Sequence, residues 1–537
     1  MKLLLEKWPE WIDPERVFSA CQHEKSMVFL DSHSRYGANG RWSVIASRPY
    51  ASLRAWPDKT VVNGETVSEP PLVAIKSMLQ TYRLTDCMFD PKALDEANCR
   101  GWQDLDLPIM GGCAGALAYE AGLPLAGLDL LESDYCPWPW ISFDFYDQLI
   151  VFDLKNKKVY LQVCGMLEPH EPAMSRLKRY LKHIQTDKAG CASDHDAPLK
   201  AAAADPGKAE ARLVSKPQRE AYMRKIDQLR EWIAQGEVYI ANFTGQLRYE
   251  TSRDSVTLYR QMRAINPAPF AAFMRQDDCE WMSSSPERFL QIRKSKSANQ
   301  QLDDSKSGSE RTNENRSAAS QSTDGDSLLS LETRPAASQS MDDDNLSSYT
   351  LETRPIKGTR PRGSGRAADE AEKRRLLSSE KDRSELLMIV DLERNDISRV
   401  CMPRSVRVEG LFELESYPTV HHLVATVRGE LRPDRDAVDA MAVCFPGGSI
   451  TGAPKMRAME LIRDLEKQPR GYYTGCLGYF SADGQADFNI LIRTLFRWQN
   501  GPVSYGAGGG ITWESDPASE YQEMLDKAAA FIRLMRQ

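Results

Sequence analysis

Between about residues 294 and 348 the chain changes character: Ser, Asp, Asn and Gln crowd the stretch and aromatic residues almost vanish. A segment of that composition cannot bury enough apolar surface to offset the entropy lost on ordering. Short peptides recur in and just beyond it, Ala-Ala-Ser-Gln-Ser at 318–322 and 336–340 and Leu-Glu-Thr-Arg-Pro at 331–335 and 351–355. One short duplication is not a solenoid, which needs at least three stacking units. The segment therefore reads as a disordered insertion, and the dense sequence on either side must carry the fold.

A second polar stretch, alanine-rich, spans 186–216 and reads as a linker. It separates a β-rich N-terminal region, 1–185, from a region running from 217 to 537. In the first, Trp42–Ala46, Leu149–Phe152 and Val159–Val163 are strand candidates. Glycine-dense, apolar Pro108–Glu120 predicts closely packed backbone. In the second, Tyr222, Ile226, Leu229 and Ile233 fall at helical spacing, and strands are expected at Tyr239–Leu247 and Phe270–Met274.

Bulk properties exclude more than they identify. With 41% hydrophobic residues the chain can build a large core, and a formal charge of -7 offers no footprint for nucleic acid or an anionic membrane. Only a run of three apolar residues, Leu3–Leu5, precedes the first acidic one, and no run of 18 uncharged apolar residues occurs, so neither a signal peptide nor a membrane span is expected. Eleven scattered cysteines without a C-x-x-C pair read as reduced, packed thiols, and the seven histidines lack metal-ligand spacing. A cytoplasmic enzyme is the expectation.

Several short constellations carry ionisable groups in constrained settings. In Phe445-Pro-Gly-Gly-Ser-Ile-Thr-Gly-Ala-Pro-Lys455 the proline suits a helix start, and the glycines could gather backbone N–H groups toward an anion. Glycine count alone favours a tight strand–helix turn without a ligand. Ser379-Glu-Lys-Asp382 fits a capping box opening a helix whose run Leu386–Val390 is apolar all round, which predicts a buried centre with Glu385 at its edge. The last helix carries an apolar stripe of Tyr521, Met524, Leu525, Ala528, Phe531, Ile532 and Met535. Glu520 and Glu523 neighbour each other in its first turn, where they either complement the helix dipole or, with a third carboxylate, offer oxygen ligands to Mg²⁺. Glu287 in Ser-Ser-Pro-Glu-Arg and Lys357 in Pro-Ile-Lys-Gly-Thr each sit in a Pro/Gly-constrained turn. Arg493 ends a probable strand, where it could grip a carboxylate or make a surface ion pair, ahead of the glycine run Tyr505–Ile511.

In this order, SSPERF, ETRPIKGTRPRG, DRSE…VDLERNDISRV, TVHHLVATVRGEL, FPGGSITGAPKMRAMELI, RGYYTGCLGYF, FNILIRTL and YGAGGGI…SEYQEML resemble the chorismate-utilising enzymes typified by anthranilate synthase component I. The resemblance is strong from about 220 to 537, the insertion aside, and looser before that through RWSVIASRP, GGCAGALAYE and DFYDQLIVFD. It implies one α+β unit in which two orthogonally packed β-sheets are flanked by helices. It also implies Mg²⁺ held by Glu385 and Glu523 with Glu520 nearby, the metal gripping the ring carboxylate of chorismate. Substrate contacts then fall to Ser449, Tyr473, Arg493, Gly508 and Gly510, with His422 the active-site histidine and Glu287 the general acid/base.

Within that family Lys357 decides the branch. Members that make anthranilate typically read PIAGT, whereas PIKGT is similar to those that make 4-amino-4-deoxychorismate for 4-aminobenzoate and folate. There the lysine is taken to add to the ring at C2 as the C4 hydroxyl leaves, and ammonia then enters at C4 and expels it. The alternative is an anthranilate-forming enzyme of tryptophan biosynthesis. The chain departs from the family at Ile240, where glutamine is frequent and lysine marks the members that use water. Glu287 and Lys357 flank the insertion, so a shared site requires it to loop out from a hairpin. No glutaminase nucleophile region is recognisable, so a separate glutaminase subunit in a heterodimer is expected to supply ammonia.

Overall fold

The computed structural model describes residues 1–32, 39–90, 102–186, 211–295, 348–417 and 420–536. Its spine is a pair of long antiparallel strands, Trp42–Ala55 and Ile141–Asp153. Every residue of the second is buried, although its sequence, ISFDFYDQLIVFD, includes three aspartates. Two of them are tied to arginines, Asp144 to Arg54 at 2.7 Å and Asp153 to Arg41 at 2.8 Å, as buried carboxylates must be. Asp147 accepts the Met166 N–H at 2.7 Å.

The strand pair is bulged between Pro49 and Ala51, and Arg48 just before the bulge has a φ of 61°. Bulges of this kind let strands pass from one sheet to another, and two arms of sheet leave the spine here. One continues through Met27–Asp31, Phe270–Gln276, Cys279–Ser285, Thr494–Trp498 and Val503–Ile511 to Ile240–Glu250. The other runs through Gly112–Leu117, Cys476–Ser481, Ala486–Ile490, Arg288–Lys294 and Tyr349–Arg354 to Val420–Glu430. Val420–Glu430 in turn pairs with Ile356–Pro361 and Arg407–Ser416. The class is thus α+β, with a large, mostly antiparallel sheet system, as expected. Strands from the first 185 residues pair into both arms.

Two separate apolar cores result. Phe143, Phe480 and Phe488 belong to one; Phe18, Phe29, Tyr259 and Phe273 belong to the other. The C-terminal helix, Pro517–Arg536, closes the second core. Its buried residues include Tyr521, Met524, Ala528, Phe531, Leu534 and Met535, following the expected stripe except that Leu525 and Ile532 are only partly buried. Phe531 stacks on Tyr505 at 4.7 Å and meets Tyr249 edge-on. Burying a side chain of that size contributes about 1.5–3 kcal/mol.

Three expectations need correction or placing. Within the stretch 186–216, read as a linker, Arg212–Ser215 adds an exposed strand to Ile240–Glu250, because ladder hydrogen bonds need no apolar side chains. The rest of that linker, 187–210, lies outside the described residues, as does 296–347 of the insertion. The flanks of the insertion do form a hairpin, with Lys294 opposite Tyr349 and the Ser295 N–H donating to the Ser348 carbonyl at 2.8 Å. Finally, the helix Glu380–Ser398 is not buried all round: Leu386, Ile389 and Val390 are inside, but Leu387 is 52% exposed. Only one face of it packs on the sheet, so the apolar run exceeds what the core needs. No helix among the described residues is long and apolar enough to cross a membrane.

Candidate active site

The two arms meet around a cavity of about 970 Å³, lined by Glu287, Lys357, Glu385, His422, Ser449, Tyr473, Arg493, Gly508, Gly510 and Glu523 among others. Of the residues expected in the site, only Glu520 is not on its wall.

Glu287 enters on the turn between Cys279–Ser285 and Arg288–Lys294. The Ser285 hydroxyl fixes that turn, donating to the Ile490 carbonyl at 2.6 Å and accepting the Glu287 N–H at 3.3 Å. The carboxyl is only 4% exposed and accepts the Ile356 N–H at 3.3 Å. Burial raises its pKa, against the pull of the Ser449 hydroxyl, Lys357, the Ile356 N–H and Arg493. Lys357 follows on Ile356–Pro361, and its ammonium donates to the Ser449 carbonyl at 3.1 Å. Next to it Gly358 has a φ of 82°, and a Cβ there would stand 2.8 Å from Leu376. Glycine is required on both counts.

Ser449 lies in the loop between the helices Ala437–Cys444 and Lys455–Glu466, with cis peptide bonds before Pro446 and Pro454. The segment expected to be a tight strand–helix turn is thus a longer loop joining two helices, with a short 3-10 turn at Gly448–Ile450. Its Gly448 N–H points away from the cavity, onto the buried Glu393 carboxyl at 2.9 Å. What the loop offers the cavity is Ser449, whose buried hydroxyl stands beside Glu287 without a well-formed hydrogen bond.

His422 is 2% exposed; Nδ1 pairs with the Thr359 hydroxyl at 2.9 Å while Nε2 has no partner. Burial, and then the nearby Arg493, push its pKa down to about 3, so the ring is neutral. Arg493 and Thr474 both hold left-handed backbone, at φ 50° and 63°, and for a β-branched threonine that is unusual strain. Thr474 follows Tyr473, and its hydroxyl donates to the Tyr473 carbonyl at 2.5 Å. The Tyr473 ring rests on Gly506, where a Cβ would come within 2.1 Å of it.

On the opposite wall, bare backbone faces carboxylates. A Cβ at Gly509 would lie 3.5 Å from both Glu520 and Glu523, and one at Gly510 would lie 3.6 Å from Glu385 and 2.9 Å from Ile240. Glu385 and Glu520 are buried, and Lys381 reaches between them, 3.3 Å from Glu520 and 3.9 Å from Glu385. Lys527 pairs with Glu523 at 2.7 Å and donates to the Gly508 carbonyl. Burial raises the Glu385 pKa; at Glu523 burial is outweighed by Lys527 and Lys381, which hold it low. Among the described residues no three such groups converge as a ready cation cage. The two lysines occupy the carboxylates instead.

Sequence reading missed Lys381, Thr359 and Asn242. Lys381 stands four residues before Glu385 on one helix, a spacing that couples side chains and was available to find it. Asn242 lines the wall near Ile240, which is itself buried behind Gly510.

A family profile described as chorismate binding enzyme matches residues 32–321 and 345–533. The chain belongs to the chorismate binding enzymes. Among its relatives in that family, aminodeoxychorismate synthase component 1 from Klebsiella aerogenes is 33% identical over 514 residues, covering 96% of this chain and 94% of that one. Aminodeoxychorismate synthase from Streptomyces pristinaespiralis is 41% identical over 316 residues, 59% of this chain but only 36% of that longer protein. The crystal structure of anthranilate synthase component I from Streptococcus pneumoniae matches with a TM-score of 0.67 over 92% of both chains at 23% identity, which shows that the two chains share a fold.

Proposed function

We propose that this chain is the synthase component of an aminodeoxychorismate synthase, converting chorismate and ammonia to 4-amino-4-deoxychorismate on the route to 4-aminobenzoate and folate. The observation that carries the reading is Lys357, an amine held in the cavity by the Ser449 carbonyl and facing the buried Glu287. Near-full-length similarity to aminodeoxychorismate synthase component 1 supports it.

Lys357 attacks as the free amine. Glu287, buried and close to it, takes up its proton. The nitrogen then bonds to ring C2, the C1=C2 pair shifts to C1=C6, the C5=C6 pair shifts to C4=C5, and the C4 hydroxyl leaves with the proton from Glu287. Ammonia adds at C4, the electron pairs return, and the C2–nitrogen bond breaks to restore Lys357. Two allylic displacements place the amine where the hydroxyl stood. His422 stays neutral throughout and offers its open Nε2 to the substrate as a hydrogen-bonding partner rather than a charge. Arg493 and the Tyr473 hydroxyl bind substrate oxygen on the wall they share.

Glu385, Glu523 and Glu520 fit a hard cation in donor chemistry: three carboxylates, two of them buried, set against two lysines. Mg²⁺ held there would neutralise the ring carboxylate of chorismate and fix its position. Lys381 and Lys527 would have to withdraw to admit it.

The relatives' designation as component 1 supports a partner component, and we assign it the role of a glutaminase that delivers ammonia in a heterodimer. Nine free, buried cysteines among the described residues support a reducing, cytoplasmic setting.

The test is turnover of chorismate with Mg²⁺ and ammonium, the product identified by mass and fluorescence. The expected product keeps its enolpyruvyl group, and Lys357→Ala should lower its rate by at least about 10²-fold. Fluorescent anthranilate from the wild type would overturn the assignment.

A further inference from the structure

Glu393 is a buried acid with no part in the chemistry above. Glu393 lies two turns beyond Glu385 on the helix Glu380–Ser398, 2% exposed, and does not line the cavity. Its two oxygens go to two different parts of the active site. Oε1 accepts the Gly448 N–H at 2.9 Å, one residue before Ser449. Oε2 accepts the Thr353 hydroxyl at 3.1 Å, in Tyr349–Arg354, the strand that leads through Pro355 to Lys357.

These two parts meet again inside the cavity, where the Lys357 ammonium donates to the Ser449 carbonyl. A ring of contacts therefore runs from Glu393 through Gly448 to Ser449, across to Lys357, and back along its strand through Thr353. Gly448 fits this ring closely, since a Cβ there would stand 3.0 Å from the Glu393 oxygen. One turn further along the helix Asp396 pairs with the Lys455 ammonium. That ammonium also donates to the Cys444 and Pro446 carbonyls at 3.0 and 2.7 Å, fixing the base of the same loop.

We propose that Glu393 is a positioning residue for Lys357, a single side chain that sets the distance between the lysine strand and the Ser449 loop. The proposal rests on the reading of Lys357 as nucleophile. A carboxyl this buried is costly as a plain helix residue, and each of its hydrogen bonds reaches a segment that carries a site residue. Burial, reinforced by Asp396 and opposed by Lys455, raises its pKa to about 7, so near neutrality much of it is uncharged and its two hydrogen bonds need no full charge. Glutamine can do the same, its amide oxygen taking the Gly448 N–H and its amide NH₂ reaching Thr353. Leucine can do neither.

The experiment is a double-mutant cycle on the full chain, with kcat and KM measured for wild type, Glu393→Gln, Glu393→Leu, Lys357→Ala and Glu393→Leu/Lys357→Ala. Displacing a reacting group by about 1 Å costs about 10²-fold, so Glu393→Leu should lose about that much in kcat with little change in KM. Glu393→Gln should keep most of the wild-type kcat. In the Lys357→Ala background Glu393→Leu should cost nothing further, because the group it positions has gone. Thr353→Val, which removes one arm of the tether and little else, covers the case in which the leucine variant fails to fold, and should lower kcat several-fold. Equal losses from Glu393→Leu with and without Lys357, or a folded leucine or valine variant with wild-type kcat, would overturn the proposal. The wild-type product and the Lys357→Ala rate report separately on the nucleophile reading, and ratios among the Glu393 variants report on the tether.

Discussion

At the scale of single residues, burial sets the charge of His422 in the cavity and of Glu393 behind it. His422 is kept neutral in the fold at pH values where the unfolded chain would protonate it, since its pKa falls from 6.5 to about 3. Stability owed to this group is complete above pH 6.5 and drains away as pH falls toward 3. The wild type should thus lose about 2 kcal/mol relative to His422→Gln between pH 6.5 and 4.5. Denaturant unfolding of both proteins across that range checks this, and parallel stability curves would refute it. Glu393 has the opposite sign. Its folded pKa is raised from 4.5 to about 7, so it favours the fold below pH 4.5 and loses that contribution as pH rises through 7. Glu393→Gln should therefore gain on the wild type between pH 5 and 8, by up to about 3 kcal/mol in the same measurement.

At the scale of elements, glycines and strained turns bring side chains to the cavity. The Tyr473 ring lies where a Gly506 side chain would be. Gly506→Ala should destabilise the fold by about 1–3 kcal/mol, and should also raise KM for chorismate by displacing that ring. An alanine variant with wild-type KM would remove Tyr473 from the binding wall. On the helix side, Phe531→Ala should cost about 3–5 kcal/mol, read from the unfolding midpoint, because Phe531 joins the last helix to both Tyr505 and Tyr249. Much of this layer was legible in sequence. Glu287 stood in a turn constrained by Pro, and the apolar spacing around Met524 and Phe531 marked the inner face of the last helix; Lys357, also expected in a turn, lies instead in the strand Ile356–Pro361, because its segment pairs with Val420–Glu430. What escaped was decided by tertiary pairing. Glu393 in DLERND reads as a solvated helix residue until Gly448 and Thr353 arrive from distant segments. The strain at Thr474 has no local signature, and the exposure of Leu387 depends on how far the sheet extends beneath its helix.

At the scale of the whole molecule, the cavity draws on none of the described residues before Asn242. The earlier strands instead form the spine from which both arms leave, an arrangement no single stretch of sequence announces, because its bulge at Pro49 has meaning only against Ile141–Asp153. The insertion is the other long-range feature. Its ends are neighbours in a ladder, held by the Ser295–Ser348 hydrogen bond, so the span between them is not needed to bring Glu287 and Lys357 together. Replacing 297–346 by a two-residue turn should leave the chain folded and kcat within about threefold, since closing a shorter loop lowers the entropic cost only slightly. Chorismate turnover of the shortened chain is the check, and a loss of activity in a folded product would assign the segment a role. The paired ends at Lys294 and Tyr349 have an evolutionary corollary. Sequence entering the gene at that point alters neither register nor reach in the strands on each side, so this hairpin is a port through which the chain can lengthen, duplicate peptides and diverge while its chemistry stays under separate selection.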